Sequence, residues 1–174
     1  GRIGKMTARR LENDINVKLL EIDKDRCYKL SDRLSNTLII NGDSRDLSLL
    51  EDEGIGSMDA FISVTNDSET NIMTCLIAKK YGVKKTMALV ENLDYLDIAQ
   101  SIGIDTVINK KQIAASYIDN FTLGLNVSSI KCLHGVNAEV MELIPKKGSK
   151  ITKRPLRELK FPADAIIGGV VRDH

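Results

Sequence analysis

Cysteine and histidine are both scarce in this sequence, which argues against several kinds of site. The three cysteines lie far apart without a C-x-x-C spacing, which favours reduced, buried thiols over a metal site or a disulfide framework. The two histidines, His134 and His174, do not follow a strand of the predicted sheet. A Ser-His-Asp triad or a histidine-dependent hydride transfer therefore has no natural place, and we predict neither a catalytic residue nor a metal ligand.

The sequence also lacks an excess of charge and a long hydrophobic run. Its 25 lysines and arginines are balanced by 24 aspartates and glutamates, so no overall field draws the chain to nucleic acid or to an anionic bilayer. No apolar run approaches the ~20 residues that a membrane helix requires. We therefore expect neither nucleic-acid binding nor direct insertion into a membrane.

Proline is absent before position 145, and along this stretch short apolar runs alternate with segments of helical periodicity. The apolar runs, which predict strands, cover residues 17–22, 37–40, 60–64, 85–90 and 106–108. Strands separated by helices of about ten residues predict a parallel sheet with helices on both faces. The predicted fold class is therefore α/β, with a doubly wound, Rossmann-like parallel sheet in the first ~110 residues.

The chain begins with Gly1-Arg2-Ile3-Gly4, which matches the second half of a G-x-G-x-x-G dinucleotide loop entering its helix. In that motif a strand precedes the glycines, and this first strand is missing here. Because it would be the central member of the sheet, we expect either that the native chain continues upstream of Gly1 or that another chain supplies the strand. Direct pairing between strands 17–22 and 60–64 would contradict this expectation.

Acidic residues follow two of the predicted strands, at the edge where a sheet of this class binds its ligand. Glu21 stands about 20 residues after the glycines, in the position of the acid that accepts ribose hydroxyls from an NAD-like ligand. The alternative is that Glu21 or Asp23 caps the following helix, and we assign the cap to Asp23. Asp43 follows the next strand, where it either accepts from an adenine amino group or forms its own Asx-turn.

Polar groups also stand at the end of strand 60–64 and between the two glycines. Thr65 and Asn66 begin the next helix, so that backbone N–H groups and the Thr65 hydroxyl face a phosphate or a second ribose. A plain N-cap of that helix is the alternative, and the two functions are compatible. Arg2 pairs with a phosphate in one interpretation and is solvated in the other.

The sequence changes character after the first domain. Residues 110–125 are helical in pattern, with an apolar stripe that either caps the sheet edge or also meets a partner. From Ser128 the apolar period changes toward two, and prolines and glycines divide the remainder into short pieces. We predict a first domain over residues 1–125, including a linking helix, and a small, truncated α+β domain over residues 126–174. We expect the second domain to need further C-terminal residues or a docking partner.

Six segments together make the sequence resemble the RCK (KTN) domains that regulate potassium transport, and most closely the second such domain of bacterial regulators that carry two. The segments are G-R-I-G-K-M-T-A-R-R-L-E at 1–12, V-K-L-L-E-I-D at 17–23, N-G-D-S-R-D at 41–46, V-T-N-D-S-E-T-N-I-M at 64–73, A-K-K-Y-G-V-K-K at 78–85 and I-I-G-G-V-V-R at 166–172. The resemblance covers nearly the whole chain. Each segment is short, but the spaced set is specific.

The resemblance implies a ligand and a set of contacts. The implied ligand is NAD or NADH, with ATP or ADP as alternatives. The residues that match the family's site are Gly1, Arg2, Ile3 and Gly4 at the pyrophosphate, Glu21 and Ile22 at the adenosine ribose, Asp43 and Ser44 near the adenine, and Thr65 and Asn66 beyond the phosphates. Leu89 departs from the pattern, since many members of the family have a basic residue there.

The resemblance also implies a regulatory subunit and not an enzyme. Such a regulator is cytoplasmic and lies at the inner face of the cell membrane through its partner, a TrkH-like subunit of a membrane potassium transporter. Its domains pair or form a homo-oligomer, and the bound ligand gates the transporter by a conformational change. The region from residue 126 is implied to be part of the companion RCK C-terminal (TrkA-C) domain. Two alternatives stay open: a fragment of an NAD-dependent dehydrogenase, and an oligomerisation module without a ligand.

Overall fold

The computed structural model describes residues 1–122, 127–133 and 138–171, and the chain divides into two compact units, Gly1–Tyr117 and Ile118–His174. The helices of the first unit are α1 (Arg2–Leu11), α2 (Lys24–Ser31), α3 (Leu47–Asp52), α4 (Ser68–Lys80) and α5 (Asp94–Ser101). Its strands are β1 (Val17–Glu21), β2 (Thr37–Asn41), β3 (Ala60–Ser63), β4 (Lys85–Leu89) and β5 (Thr106–Ile108). Helix α6 (Lys110–Thr122) begins in the first unit and continues into the second.

The strands of the first unit form two parallel sheets, one of β1 and β2 and the other of β3, β4 and β5. Strand β1 pairs with β2 from Val17 opposite Thr37 to Glu21 opposite Asn41. In the part of the chain that the structure describes, β1 and β3 are not paired with each other. All pairs in these two sheets are parallel, and the predicted parallel α/β architecture is confirmed.

Strand periodicity places helices on both faces of the first unit. Because side chains alternate along a strand, Val17 and Leu19 of β1 face one way and Leu20 faces the other. The cluster against Val17 and Leu19 contains Ala8 of α1 and Leu30 of α2, with Leu34 and Ile39. The cluster against Leu20 contains Leu50, Ile55, Ala78 and Val83. Helices α1 and α2 thus cover the face opposite α3 and α4, which is the doubly wound arrangement.

The cysteines of the first unit are free thiols within the core. Cys27 and Cys75 are both buried, and neither forms a disulfide, as predicted. Burial raises the pKa of the Cys75 thiol to about 12, so this thiol stays protonated at neutral pH. The side chain of Cys132 is outside the described part of the structure.

Aspartate side chains fix where two of the predicted helices begin. The Asp23 carboxylate accepts a hydrogen bond from the Arg26 amide at 3.0 Å, and it is the N-cap of α2. The Asp67 carboxylate accepts from the Thr70 amide at 2.6 Å and is the N-cap of α4. Gly82 follows the end of the same helix with φ at +91°, a backbone conformation that residues other than glycine rarely adopt. Local hydrogen bonds and backbone conformation therefore determine where these helices begin and end beside the strand ends.

The second unit contains an antiparallel strand pair, β6 (Val127–Leu133) and β7 (Ala138–Leu143), as the change to an apolar period of two predicts. Two single 3-10 turns follow, at Lys150–Thr152 and Leu156–Glu158. The apolar run of residues 165–171 forms neither helix nor strand, and its Ile166 is 92% exposed.

Helix α6 carries the apolar stripe that its sequence predicts. Ile113 and Tyr117 of this stripe are both exposed. Its use as a linking helix that meets a partner stays a prediction. Neither α6 nor another helix within the described residues combines the length and hydrophobicity needed to cross a membrane.

A charged network joins the end of α4 to the segment before β5. The Lys79 ammonium contacts the Asp105 carboxylate at 2.8 Å and the Gly103 carbonyl at 2.6 Å. The Thr86 amide and hydroxyl both donate to the other Asp105 oxygen at 2.8 Å. The hydrogen bond from Lys79, followed by those from Thr86, lowers the pKa of Asp105 to about 2. Asp105 thereby ties β4 to its neighbour at the edge of the sheet.

We predict that Asp105→Asn lowers the free energy of unfolding at neutral pH, because it removes the ion pair with Lys79. The loss should be only about 1 kcal/mol, because the carboxylate is partly exposed and its ion pair is screened by solvent. A depressed carboxyl pKa stabilises the fold above the ordinary value, so this contribution disappears as the pH falls from about 4 to 2. Urea unfolding across this range measures it. Asp59→Asn, the same charge change at an exposed position, is the control. Equal stability of wild type and Asp105→Asn at neutral pH would contradict the network.

Candidate nucleotide site at the strand ends

A cavity of about 500 Å³ lies at the carboxyl ends of β1, β3 and β4, beside the N-terminus of α1. Its size is within the range of small-molecule sites. Apolar side chains of Leu30, Val64 and Leu89 form part of its wall. The rest of the wall is polar or charged. The cavity therefore combines apolar side chains with groups that can bind an anionic ligand.

Half of the residues predicted from the sequence line this cavity. They are Gly1, Arg2, Ile3, Glu21 and Asn66. The other predicted residues, which do not line it, are Gly4, Ile22, Asp43, Ser44 and Thr65. Each of these lies next to a lining residue in the sequence or follows β2. The structure thus brings together the glycine loop, the end of β1 and the segment after β3, and it leaves the end of β2 outside the cavity wall.

Gly4 has a packing function in the first turn of α1. A Cβ atom at this position would lie 3.4 Å from the Cγ2 atom of Val64, which follows β3. This distance is the close end of ordinary van der Waals contact, so there is little spare room between α1 and the strand end. Gly4 therefore lets the helix N-terminus, whose free N–H groups attract anions, approach the cavity closely.

Glu21 is the buried acid of the site. Its residue is 8% exposed at the end of β1, and its two carboxylate oxygens have different partners. One oxygen accepts from the Gly1 nitrogen at 3.1 Å, and the other accepts from the Asp23 amide at 3.2 Å. Since Asp23 caps α2, the Glu21 carboxylate is not needed as a helix cap. It faces the cavity, where a carboxylate can accept two ribose hydroxyl groups.

Basic side chains outnumber the acid in the cavity wall. Helix α1 contributes Arg2 and Lys5, the α2 region contributes Arg26, Lys29 and Arg33, and α6 contributes Lys110. Arg26 is paired with Asp23 at 3.3 Å, and Lys110 is paired with Glu91. Such a wall attracts a multiply charged anion such as a pyrophosphate or triphosphate.

Sequence reasoning identified only Arg2 among these cations. A signal for three others was present, because Arg26, Lys29 and Arg33 follow an i, i+3, i+7 spacing that places them along one side of a helix. No sequence spacing pointed to Lys110. It comes near the cavity because α6 begins just after the end of β5.

Asp43 is engaged by a neighbour. The Arg45 guanidinium donates to both carboxylate oxygens of Asp43, at 3.0 and 2.6 Å, and the Arg45 amide donates to one of them at 2.9 Å. The amide contact is the Asx-turn that was the alternative interpretation of Asp43. The Arg45 hydrogen bonds hold the pKa of the Asp43 carboxyl below its ordinary value. The carboxylate stays ionised, and its contact with an adenine remains a prediction.

The segment after β3 divides its functions between neighbouring residues. Asp67 caps α4, and the hydrogen bond from Thr70 is the main cause that lowers the pKa of its carboxyl. Asn66 is left to line the cavity. Both functions proposed for this segment, a helix cap and a ligand contact, are therefore geometrically available. Within the residues that the structure describes, no group of three His, Cys, Asp or Glu side chains is arranged to hold a metal ion.

Residues 1–110 match the family model of the TrkA-N domain. The chain is 34% identical over 175 residues to the Trk system potassium uptake protein TrkA homolog 2 of Methanosarcina mazei. This alignment covers 99% of the chain and 39% of the relative. The chain therefore spans about two fifths of that relative's length.

Solved structures of the protein GsuK share the fold of this chain. GsuK bound to ADP superposes with a TM-score of 0.58 at 23% identity, over 70% of this chain and 31% of that one. The GsuK channel bound to NAD gives a TM-score of 0.59 at 16% identity, over 76% of this chain and 23% of that one. At these identities the likeness establishes the Rossmann-like α/β fold.

We predict that Arg45→Met raises the pKa of Asp43 toward its ordinary value, because the guanidinium hydrogen bond is the largest cause of the lowering. An NMR titration of the side-chain carboxyl carbons from about pH 2 to pH 6 measures this shift. Arg9→Met, which removes an exposed arginine of α1, should leave the Asp43 titration unchanged. An unchanged pKa of Asp43 in Arg45→Met would contradict the ion pair.

Proposed function

The chain belongs to the TrkA-N family of RCK regulatory domains, and we propose that it is the nucleotide-sensing part of a cytoplasmic potassium-uptake regulator. The observation that carries this proposal is the cavity at the strand ends, where one buried acid faces a wall of cations. A dinucleotide has the complementary pattern of ribose hydroxyl groups beside phosphates. A relative that is 34% identical to the chain is a Trk system potassium uptake protein.

The preferred ligand is NAD or NADH, with ADP or ATP as the alternative. Glu21 accepts the 2′- and 3′-hydroxyl groups of the adenosine ribose, and Ile22 packs beside it. A carboxylate at this position repels the extra phosphate of NADP, so the ligand is the unphosphorylated dinucleotide. Support also comes from the solved GsuK structures, which are bound to NAD and to ADP.

The pyrophosphate lies against the N-terminus of α1. Gly1, Arg2, Ile3 and Gly4 surround it with backbone N–H groups and one guanidinium, and the partial positive charge of the helix end adds to the attraction. The other cations of the cavity wall supply the contact that Leu89 cannot make.

The remaining contacts come from the ends of β2 and β3. Asp43 and Ser44 lie near the adenine, and Thr65 with Asn66 lies beyond the phosphates. For the Asp43 contact, an adenine amino group shares the carboxylate with Arg45 or displaces it. For the Asn66 contact, the side chain is already at the cavity wall.

Ligand binding acts through a change in the relative positions of domains. No chemistry on the ligand is needed, since the nucleotide shifts a conformational equilibrium by binding one arrangement better. The regulated partner is a TrkH-like potassium transporter subunit at the inner face of the membrane. The domains pair or form a homo-oligomer, and residues 126–174 belong to an RCK C-terminal domain that follows the linking helix of residues 110–125.

Isothermal calorimetry with NADH, NAD, ATP and ADP tests the ligand. We predict that wild-type protein binds NADH and that Glu21→Gln weakens this binding about tenfold, because charge-assisted hydrogen bonds to the ribose are lost. Asp25→Asn is the matched control, since it removes an exposed charge from the first turn of α2 at a residue that does not line the cavity. It should change the affinity little.

Other outcomes distinguish the alternatives. An absence of heat with all four nucleotides at millimolar concentration would favour an oligomerisation module without a ligand. Oxidation of NADH by a reducible substrate, or reduction of NAD by an oxidisable one, would favour a dehydrogenase fragment. Equal affinities of wild type and Glu21→Gln would refute the assignment of Glu21 to the ribose.

Potassium uptake in cells that lack their own copy of the regulator tests the transport function. We predict that the full-length wild-type protein restores a nucleotide-dependent uptake. Glu21→Gln should lose most of this dependence, because the weakened site is occupied by nucleotide in a smaller fraction of the protein. Asp25→Asn should behave as wild type. Uptake that is unaffected by the presence of the wild-type protein would refute a role in potassium transport.

A further inference from the structure

A buried amide lies behind the segment that forms one wall of the cavity. Asn71 is on the inner face of α4 and is only 1% exposed. An amide removed from water costs free energy unless its donors and its acceptor all find partners. Asn71 is not among the residues expected to touch the ligand, and it does not line the cavity.

The partners of Asn71 are concentrated at Thr65. The Asn71 Oδ1 atom accepts from the Thr65 amide at 2.9 Å and from the Thr65 hydroxyl at 2.7 Å. Its Nδ2 atom donates to the Thr65 carbonyl at 3.1 Å and to the Leu89 carbonyl at 2.8 Å. A single side chain therefore binds every hydrogen-bonding group of Thr65 and links that residue to the end of β4.

Thr65 is the connection between this amide and the cavity. The residues on either side of it, Val64 and Asn66, both line the cavity, and so does Leu89. The Thr65 hydroxyl also accepts from the Asp67 amide at 3.2 Å. Because the backbone at Thr65 is fixed from behind, the direction in which Asn66 leaves the strand is fixed as well.

A second buried polar residue of α4 offers a contrast. The Thr74 hydroxyl lies 2.9 Å from the Ser63 hydroxyl and donates to the Thr70 carbonyl at 2.8 Å. Thr74 is as deeply buried as Asn71. Thr74 belongs to the same cluster: its hydroxyl also donates to the Asn71 carbonyl at 3.3 Å, and the Ser63 hydroxyl donates to the Asn71 Oδ1 atom at 3.0 Å. Thr74 has no hydrogen bond to Thr65 among the described contacts. A change at Thr74 therefore removes buried hydrogen bonds of this cluster and keeps the side-chain hydrogen bonds between Asn71 and Thr65.

We propose that Asn71 is a positioning residue for the nucleotide site, which holds the segment from Val64 to Asn66 in its ligand-binding conformation through Thr65. This inference rests on the proposed nucleotide-sensing function and adds to it a residue that does not touch the ligand. The amide acts by pre-organising the wall, so that the ligand need not order it on binding.

The test compares Asn71→Ala with Thr74→Val in the full-length protein, with NADH as the probe. Both variants should be less stable to urea than wild type, since each removes buried hydrogen bonds. Only Asn71→Ala should also bind NADH about tenfold more weakly, at a temperature where all three proteins are folded. A merely structural function for Asn71 would lower its stability and leave its affinity equal to that of Thr74→Val, and this result would overturn the proposal.

Amide hydrogen exchange in wild-type protein without nucleotide gives a measurement that does not depend on the folding of a variant. The Thr65 amide should exchange at least about 100-fold more slowly than the Asn66 amide, because its proton is bound to the buried Asn71 oxygen. Similar exchange at the two positions would overturn the proposal.

An absence of NADH binding by wild type would instead refute the nucleotide function, and the positioning function would fall with it. Binding by wild type with unchanged Asn71→Ala affinity refutes the positioning function alone.

Discussion

The buried carboxylate of Glu21 is the interaction on which the proposed site depends. It lies at the end of β1, lines the cavity and accepts a hydrogen bond from the Asp23 amide in the turn before α2. Burial of a carboxylate is unfavourable unless hydrogen bonds compensate it. The Asp23 amide supplies one such hydrogen bond next to the cavity, so the charge stays where a ribose can reach it.

In the proposed site, the cations around Glu21 select the ligand by its charge. One wall carries arginines and lysines from α1, the α2 region and α6, and the acid lies at the end of β1. A ligand that satisfies both must have hydroxyl groups and phosphates, which a dinucleotide has. The segment after β3 closes this arrangement, and its conformation is set from behind by Asn71. The site thus combines strand ends of both sheets, β1 of one with β3 and β4 of the other.

The sequence predicted the framework well because its signals are local. Apolar runs located β1 to β5, Asp23 and Asp67 cap helices as their positions suggest, and Gly82 ends α4. The role of Arg45 was not predicted, because a pair two residues apart depends on how the turn after β2 folds. Asn71 was also missed. Within a helix an asparagine is unremarkable in the sequence, and its importance appears only when two strand ends are placed beside it.

A crystal structure of the full-length protein grown with NADH would test the proposed nucleotide site. We expect the adenosine ribose hydroxyl groups to lie within hydrogen-bond distance of the Glu21 carboxylate, with the pyrophosphate against the N-terminus of α1. NADH bound at another part of the molecule, or bound here with its ribose away from Glu21, would refute this site.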